Sequence, residues 1–311
     1  ITATVEAAGG IVLLREAIVG SGARTAGDAL RNVPGIVVQE QARGGPQRVS
    51  VRGSNPDAVL VLLDGVPLND PVTGEADLST VPARSLTRAT VLLGALSARF
   101  GPRAAAGVIL LETSGDAEPW QVSTWAGSLE QFGLDVGGGG GLWNGHWQSR
   151  VEGRGIDGGF DFTIPAEAGG GEAYRGNADL VTWSASTGWS GPLWDGDLSA
   201  TAGFETLERG LPGRSFAPSP DARQELDRAR FSTSWTRGLP EGGALSVRTY
   251  ATRQTTRFRD FDPPFGAAYD DRTVLQAVGA SLKGAIPGIG VLRSLSGGVD
   301  LDIQSVEGDA L

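Results

Sequence analysis

"VTWSASTGWS", residues 181–190, sets Val181, Trp183, Ala185, Thr187 and Trp189 against a small or polar residue at every position between them. A period of two is the signature of a β-strand whose faces meet different surroundings. The pattern recurs along the chain. Leu198, Ala200, Ala202 and Phe204 alternate with Ser199, Thr201, Gly203 and Glu205. Phe231, Thr233 and Trp235 do the same, as do Leu245, Val247, Thr249 and Ala251, and then Leu295, Gly297, Val299, Leu301 and Ile303. From Trp120 onward about nine such segments occur, each near the roughly 9–11 residues with which a tilted strand crosses a bilayer.

A soluble sandwich or propeller also alternates, so other features must decide. The segments exceed the usual soluble strand of about five or six residues. All the tryptophans but Trp120 fall between residues 125 and 235, several near segment ends, as an aromatic belt would place them. Short turns such as "SGPLWDGD" and "LPEGGA" take turns with long polar connections at 153–178 and 207–227. These features favour a transmembrane sheet. Such a sheet must close, because lipid offers no partner to an open edge.

Composition narrows the chemistry. The 311 residues contain no cysteine, which removes disulfides, thiolate metal sites and cysteine nucleophiles. The net charge is −10, and Lys283 is the only lysine among 26 basic residues. That acidity argues against nucleic acid as the main partner. Apolar runs reach only about six residues, well short of a membrane helix. The 48 glycines exceed what a helical bundle carries and follow no collagen period. Methionine is absent, so Ile1 is not an initiator, and the expectation is a processed, trimmed or partial chain.

Residues 1–115 mix periods instead. "TAGDALRNVPG" reads as a short helix with Thr25 as cap, Ala26, Ala29, Leu30 and Val33 on one side and Pro34-Gly35 as stop. Strand-like runs follow at 35–39, 48–52, 58–63, 89–93 and 107–113, divided by "RGGPQ", "GSNPD", "DGVP" and "FGPR". The expectation is a small α+β domain.

Several stretches of this domain occur in one order: "SGARTAGDALRNVPGI", "VSVRGSNPDAVLVLLDGVPLND", "ADLSTVPARSLTRATVLLGALSARFG" and "AAGVILLETS". Together they resemble the plug of a TonB-dependent outer-membrane receptor, and most of all the cobalamin-receptor group. The fold class expected is therefore a transmembrane β-barrel, incomplete with about nine antiparallel strands, preceded by a small α+β plug domain. The plug would span residues 1–116 and the truncated N-terminal portion of the barrel residues 117–311. The resemblance implies a complete barrel of about 22 strands, so either further chain or a second chain would close the wall.

It also implies a function. A scarce ligand such as a corrinoid, metal chelate or siderophore binds the outer face in the outer membrane of a Gram-negative-type bacterium. TonB, with its inner-membrane motor proteins, then supplies force through an N-terminal box that adds a strand to its partner. Residues 1–7 are the candidate box, with Ile1, Thr2, Ala3, Thr4 and Val5 as TonB contacts. Where the family commonly carries an acid and an arginine that pair the plug with the wall, this chain has Thr90 and Leu93. That departure motivates a second reading: a non-pumping structural or adaptor component, a plugged partial barrel completed by another chain. A soluble β-rich binding module is a third.

Candidate sites follow. By resemblance Arg52, Asn69, Asp70 and Thr73 stand at plug apices that face ligand. Chemically they offer a charged fork, an amide, a carboxylate and a hydroxyl. Asp260, Asp262, Asp270 and Asp271 share one polar connection, "FRDFDPPFGAAYDD", and could supply calcium with some of the six to eight or so oxygens it takes. A solvated acidic loop is the plainer alternative. No other cofactor is expected. Asp64 follows an apolar strand but lacks the Ser or Thr and the second copy of an aspartic protease, so a turn role is expected. His146 is alone, which leaves little for a serine triad or a histidine metal site. No enzyme is expected.

Overall fold

A computed structural model describes residues 4–7, 10–40, 44–94, 100–115, 118–164, 166, 170–214, 217–287 and 294–310. Its first part contains β1 (Thr4–Ala7), β2 (Gly10–Leu14), α1 (Arg15–Gly20), α2 (Ala26–Leu30), β3 (Ile36–Glu40), β4 (Gln47–Val51), β5 (Val59–Leu63), β6 (Val66–Pro67), β7 (Arg88–Leu93) and β8 (Gly107–Glu112). Six of these strands form one sheet in the order β1-β2-β7-β8-β5-β6, while β3 and β4 pair separately. Parallel pairing of β5 with β8 buries both faces of β5, which is why "VLVLL" is apolar throughout. The expected helix is α2. Thr25 caps it, and the Asp28 side chain accepts in return from the Thr25 amide, closing a capping box. Ile18, Leu30, Val61, Leu63, Leu78, Leu86 and Ile109 form the core of this α+β domain.

The second part is a wall. Its nine strands are β9 (Gln121–Gly127), β10 (Gln131–Leu142), β11 (Gly145–Ile156), β14 (Leu180–Leu193), β15 (Gly196–Gly210), β18 (Arg223–Leu239), β19 (Gly243–Asp260), β20 (Tyr269–Pro287) and β21 (Ser294–Ala310). They pair antiparallel, each with the next, in one nine-stranded sheet. Two small hairpins, β12 (Phe160–Thr163) with β13 (Glu172–Arg175) and β16 (Gly213–Arg214) with β17 (Ala217–Pro218), fold within the long connections. Those connections are shorter than expected, at 157–179 and 211–222, because the strands run further. Short turns close the opposite rim. At one of them Trp194 and Asp195 both take positive φ, 50° and 57°, the geometry of a two-residue hairpin turn.

Burial follows the alternation. On β18, Gln224, Leu226, Arg228, Arg230 and Ser232 are buried while Asp227, Ala229 and Phe231 between them are exposed. The buried parity faces the plug. The other face exposes Val181, Trp183, Phe204, Phe231, Val278 and Ile303, an apolar surface suited to lipid. Among the described residues no helix is long and apolar enough to cross a membrane. The molecule is thus a plug domain packed against the polar face of a partial β-barrel.

Glycine lets the wall take large neighbours. Gly133 lies opposite Trp125, and a Cβ on it would stand 2.4 Å from the indole. The ring therefore lies flat, and the Arg24 guanidinium of the plug stacks on it at 4.2 Å. Gly137, in the run 137–141 of β10, makes room in the same way for Arg150, which reaches Asp135 at 2.6 Å and Glu118 at 3.5 Å.

Candidate functional site

The loop after β6 is built from its own side chains. Asp70 accepts from the amides of Val72 and Thr73, both at 2.9 Å, and from the Thr73 hydroxyl at 3.3 Å. Asn69 is turned inward and buried. Its Oδ1 accepts from the Val61 amide, and its Nδ2 donates to the carbonyls of Val59 and Gly74, each at 2.8 Å. The amide thus ties the loop to β5 through its oxygen and its Nδ2 donors.

A cavity of about 470 Å³ lies between this loop and the ends of β15, β18, β19 and β20 that carry the long connections. Asp70, Thr73 and Asp77 line it from the plug, and Arg209, Arg228 and Tyr269 from the wall. Leu226 and Phe258 add apolar surface. A second, more open cavity of about 1250 Å³ is lined by Arg24, Gln47, Ser79, Arg154 and Phe160. Residues 77–80 therefore border both.

That segment is where plug and wall meet most polarly. Asp77 caps the short turn that follows it, accepting from the Ser79 amide at 3.0 Å, the Ser79 hydroxyl at 2.7 Å and the Gln47 amide at 2.9 Å. Its other oxygen accepts from Arg209 Nη2 at 2.6 Å. Arg209 also donates to Ser79 Oγ at 3.0 Å and to Gln224 at 2.8 Å. Arg228 donates to Thr80 Oγ1 at 3.3 Å and to Gln254 at 2.8 Å, and Arg154 donates to the Ser79 carbonyl at 3.4 Å. Burial alone would lift the Asp77 carboxyl. The Arg209 guanidinium and the donors from Ser79 and Gln47 outweigh it and hold the group below the ordinary carboxylate value.

The Asp64-Gly65 turn behaves differently. Asp64 sits at φ 52° and accepts from the Thr113 amide and hydroxyl, both at 2.7 Å. Burial pushes its carboxyl up, with Arg230 and the Thr113 donors opposing. Arg230 is in turn paired with Glu205 inside the wall. Asp64 is a turn residue bonded to backbone, as its sequence suggests.

The expected site residues thus separate. Asp70 and Thr73 line the cavity. Asn69 does not, because its hydrogen bonds are spent inside the plug. Arg52 does not either: it stands exposed at φ 50° in the turn after β4. Ile1, Thr2 and Ala3 lie outside the described residues, while Thr4 and Val5 open an edge strand that pairs with β2. The four acids of the late connection do not converge. Asp270 is held by Arg257 at 2.6 and 2.5 Å, and Asp260 accepts from the Asp262 amide. Among the described residues no group of three or more His, Cys, Asp or Glu is placed to hold a metal. His146 is exposed. Arg154, Arg209 and Arg228 of the wall hold the plug segment 77–80. Sequence reasoning missed these three. The available signal was charge on the inward parity of the strands, but Arg150, Glu152, Glu205 and Arg230 share that parity, so parity alone does not single the three out.

A plug of this form seated against the polar face of an antiparallel meander defines the fold of a plugged, partial β-barrel. Comparison with known proteins agrees. Residues 7–108 match the family model described as the TonB-dependent Receptor Plug Domain. The copper transporter OprC superposes over 100% of this chain and 48% of its own, with a TM-score of 0.76 and 16% identity. The pyoverdine outer membrane receptor FpvA from Pseudomonas aeruginosa PAO1 gives 0.75 and 15%, over 96% of this chain and 46% of its own. The ferric citrate transporter FecA gives 0.72 and 15%, over 98% and 48%. The fold is shared, and the chain spans about half the length of these structures. The likeness to the cobalamin-receptor group is not confirmed by them.

Proposed function

We propose that this chain is the plug and the first wall strands of an outer-membrane import receptor rather than an enzyme. A scarce small-molecule ligand, a metal chelate, siderophore or corrinoid, binds the cavity between the loop at Asp70 and the ends of β15, β18, β19 and β20. The observation that carries this reading is the cavity itself, lined on one side by plug residues and on the other by the ends of wall strands. A ligand seated there cannot pass without displacing the plug. The outer membrane holds neither ATP nor an ion gradient, so the displacement needs force from outside the barrel. TonB would apply it at residues 1–7, of which Thr4–Ala7 form β1 at the edge of the plug sheet.

The test is uptake by the complete receptor in cells lacking it. Removing residues 1–7 is expected to abolish accumulation of labelled ligand while surface binding persists. Accumulation unchanged by that deletion would reject energised import through this segment. No binding of any chelate or corrinoid would reject the receptor reading.

A further inference from the structure

The outward face of the wall changes character at one register row. Phe231, Ala251, Val278 and Ile303 stand side by side on β18, β19, β20 and β21, and the large side chains among them are exposed. The next outward row toward the long connections reads Ala229, Arg253, Gln276 and Ser305. It sets a guanidinium, an amide and a hydroxyl on adjacent strands, roughly 5 Å apart. All three are exposed and line one shallow hollow of about 560 Å³, which Phe231, Val278 and Ile303 also line. Among the described residues none of the three side chains makes a hydrogen bond or an ion pair. The ion pairs of this face lie higher, Arg257 with Asp270 at 2.5 Å and Arg259 with Glu225 at 3.0 Å. The nearest acids by register, Asp227 and Glu307, are also one outward position higher, opposite Thr255 and Val274. Counted from this rim, Arg253 is the deepest charge on the outward face of these four strands.

We propose that this row holds the phosphate of a membrane lipid, with the acyl chains lying on the apolar row beneath it. The proposal rests on the wall spanning the outer membrane and not on what the receptor imports. Long connections mark the outer rim of such barrels, so the row lies where the headgroups of the outer leaflet begin. A guanidinium beside hydrocarbon is costly unless an anion meets it, and the anion at that depth is the lipid phosphate. Arg253 offers it a charged fork, and Gln276 and Ser305 offer neutral donors on the next two strands. Alanines at 229 and 251 leave the hollow open for a headgroup, where larger side chains would fill it. Charge and apolar contact come from neighbouring rows, so the site favours a phosphate with its chains attached.

The test uses the complete receptor in neutral detergent, with phosphatidic acid and the diacylglycerol of the same chains as probes, bound lipid being counted by native mass spectrometry. Phosphatidic acid is expected to bind about tenfold or more tighter than the diacylglycerol, and Arg253→Gln to remove that preference. Arg253→Lys should keep part of it, because lysine carries the charge without the fork. Arg272 stands two outward positions higher, opposite Arg257, and Arg272→Gln should leave the preference unchanged. Equal losses in Arg253→Gln and Arg272→Gln would mean diffuse attraction and overturn the site. A preference that survives Arg253→Gln overturns it too, as does displacement of the lipid by an equal concentration of inorganic phosphate. A wild type that binds both lipids equally also overturns the site and leaves the receptor reading standing. If the receptor is stable without detergent and binds neither lipid, the membrane reading falls with it.

Discussion

Arg209 of the wall meets Asp77 of the plug at 2.6 Å across 132 residues of sequence. The pair joins the two parts of the molecule at the segment that borders both cavities. Arg209 is fully buried, while the Asp77 side chain keeps 19% of its surface. Asp77→Asn is therefore expected to cost about 2–3 kcal/mol of plug stability, below the most buried pairs. Protease accessibility of residues 77–80 and thermal unfolding of the complete receptor measure it. A loss under roughly 0.5 kcal/mol would mark the pair as a surface contact.

The same carboxyl sets a pH dependence. A group lowered by folding adds stability that is full above its unfolded value, 3.8, and lost as the pH falls through the folded one. Plug retention should thus be flat at neutral pH and decline only in acid, below about pH 4. Asp77→Asn should remove that part of the decline. Release of the plug on mild acidification, near pH 6, would assign the effect to other groups.

Asp64 carries the opposite slope, because burial raises its carboxyl. Its ionised form opposes folding at neutral pH, and stability from this group returns as the pH falls through the raised value. Asp64→Asn should therefore stay within about 1 kcal/mol of wild type at pH 7, since Asn also tolerates positive φ. Asp64→Leu should lose about 2 kcal/mol or more through the orphaned Thr113 amide and the strained φ. Equal losses for the two variants would contradict a turn role.

Asn69 and Asp70 are adjacent and should respond differently. Asn69→Ala leaves buried backbone groups of β5 unpaired and is expected to cost about 2–4 kcal/mol of plug stability. Asp70→Asn keeps an acceptor for the amides of its own turn and should act on ligand affinity instead. Measuring melting temperature and binding on each single variant separates them. A ligand-affinity loss confined to Asn69→Ala, with stability intact, would reverse the assignment.

On the wall, parity predicts tolerance. Phe231→Arg places a charge on the lipid face and should cost about 2–4 kcal/mol near mid-membrane. Ser232→Ala, on the inward face, should cost about 1 kcal/mol at most, through its 2.8 Å bond with Thr201. Folding yield into lipid vesicles reads both.

The elements were legible in the sequence wherever a short-range signal sets them. Period-two alternation located strands such as β14, β15 and β18, and Thr25 announced α2 through its cap. Asp64 was legible as a turn because Asp-Gly after an apolar strand is a local event. The site was legible only in part. Asp70 and Thr73 reach the cavity, but Asn69 turns back on β5, and nothing in "PLND" distinguishes an amide facing out from one bracing a strand ten residues earlier. The arginines at 154, 209 and 228 were illegible for a different reason. Their partners lie 75 to 148 residues away, brought together by the register of the wall and the seat of the plug. Short α1, the edge strand β1 and its neighbour β2 gave no periodic signal long enough to read.

Gly133 is a contact surface made by a missing atom. Trp125 can lie flat only while nothing projects from that residue, and Arg24 can rest on the indole only while it lies flat. The atoms nearest a methyl group at Gly133 all belong to Trp125. Such a group would displace the ring and with it one contact between wall and plug. An alanine there would thus read as a plug mutation although it sits in the wall, and a survey of charged pairs would pass it by.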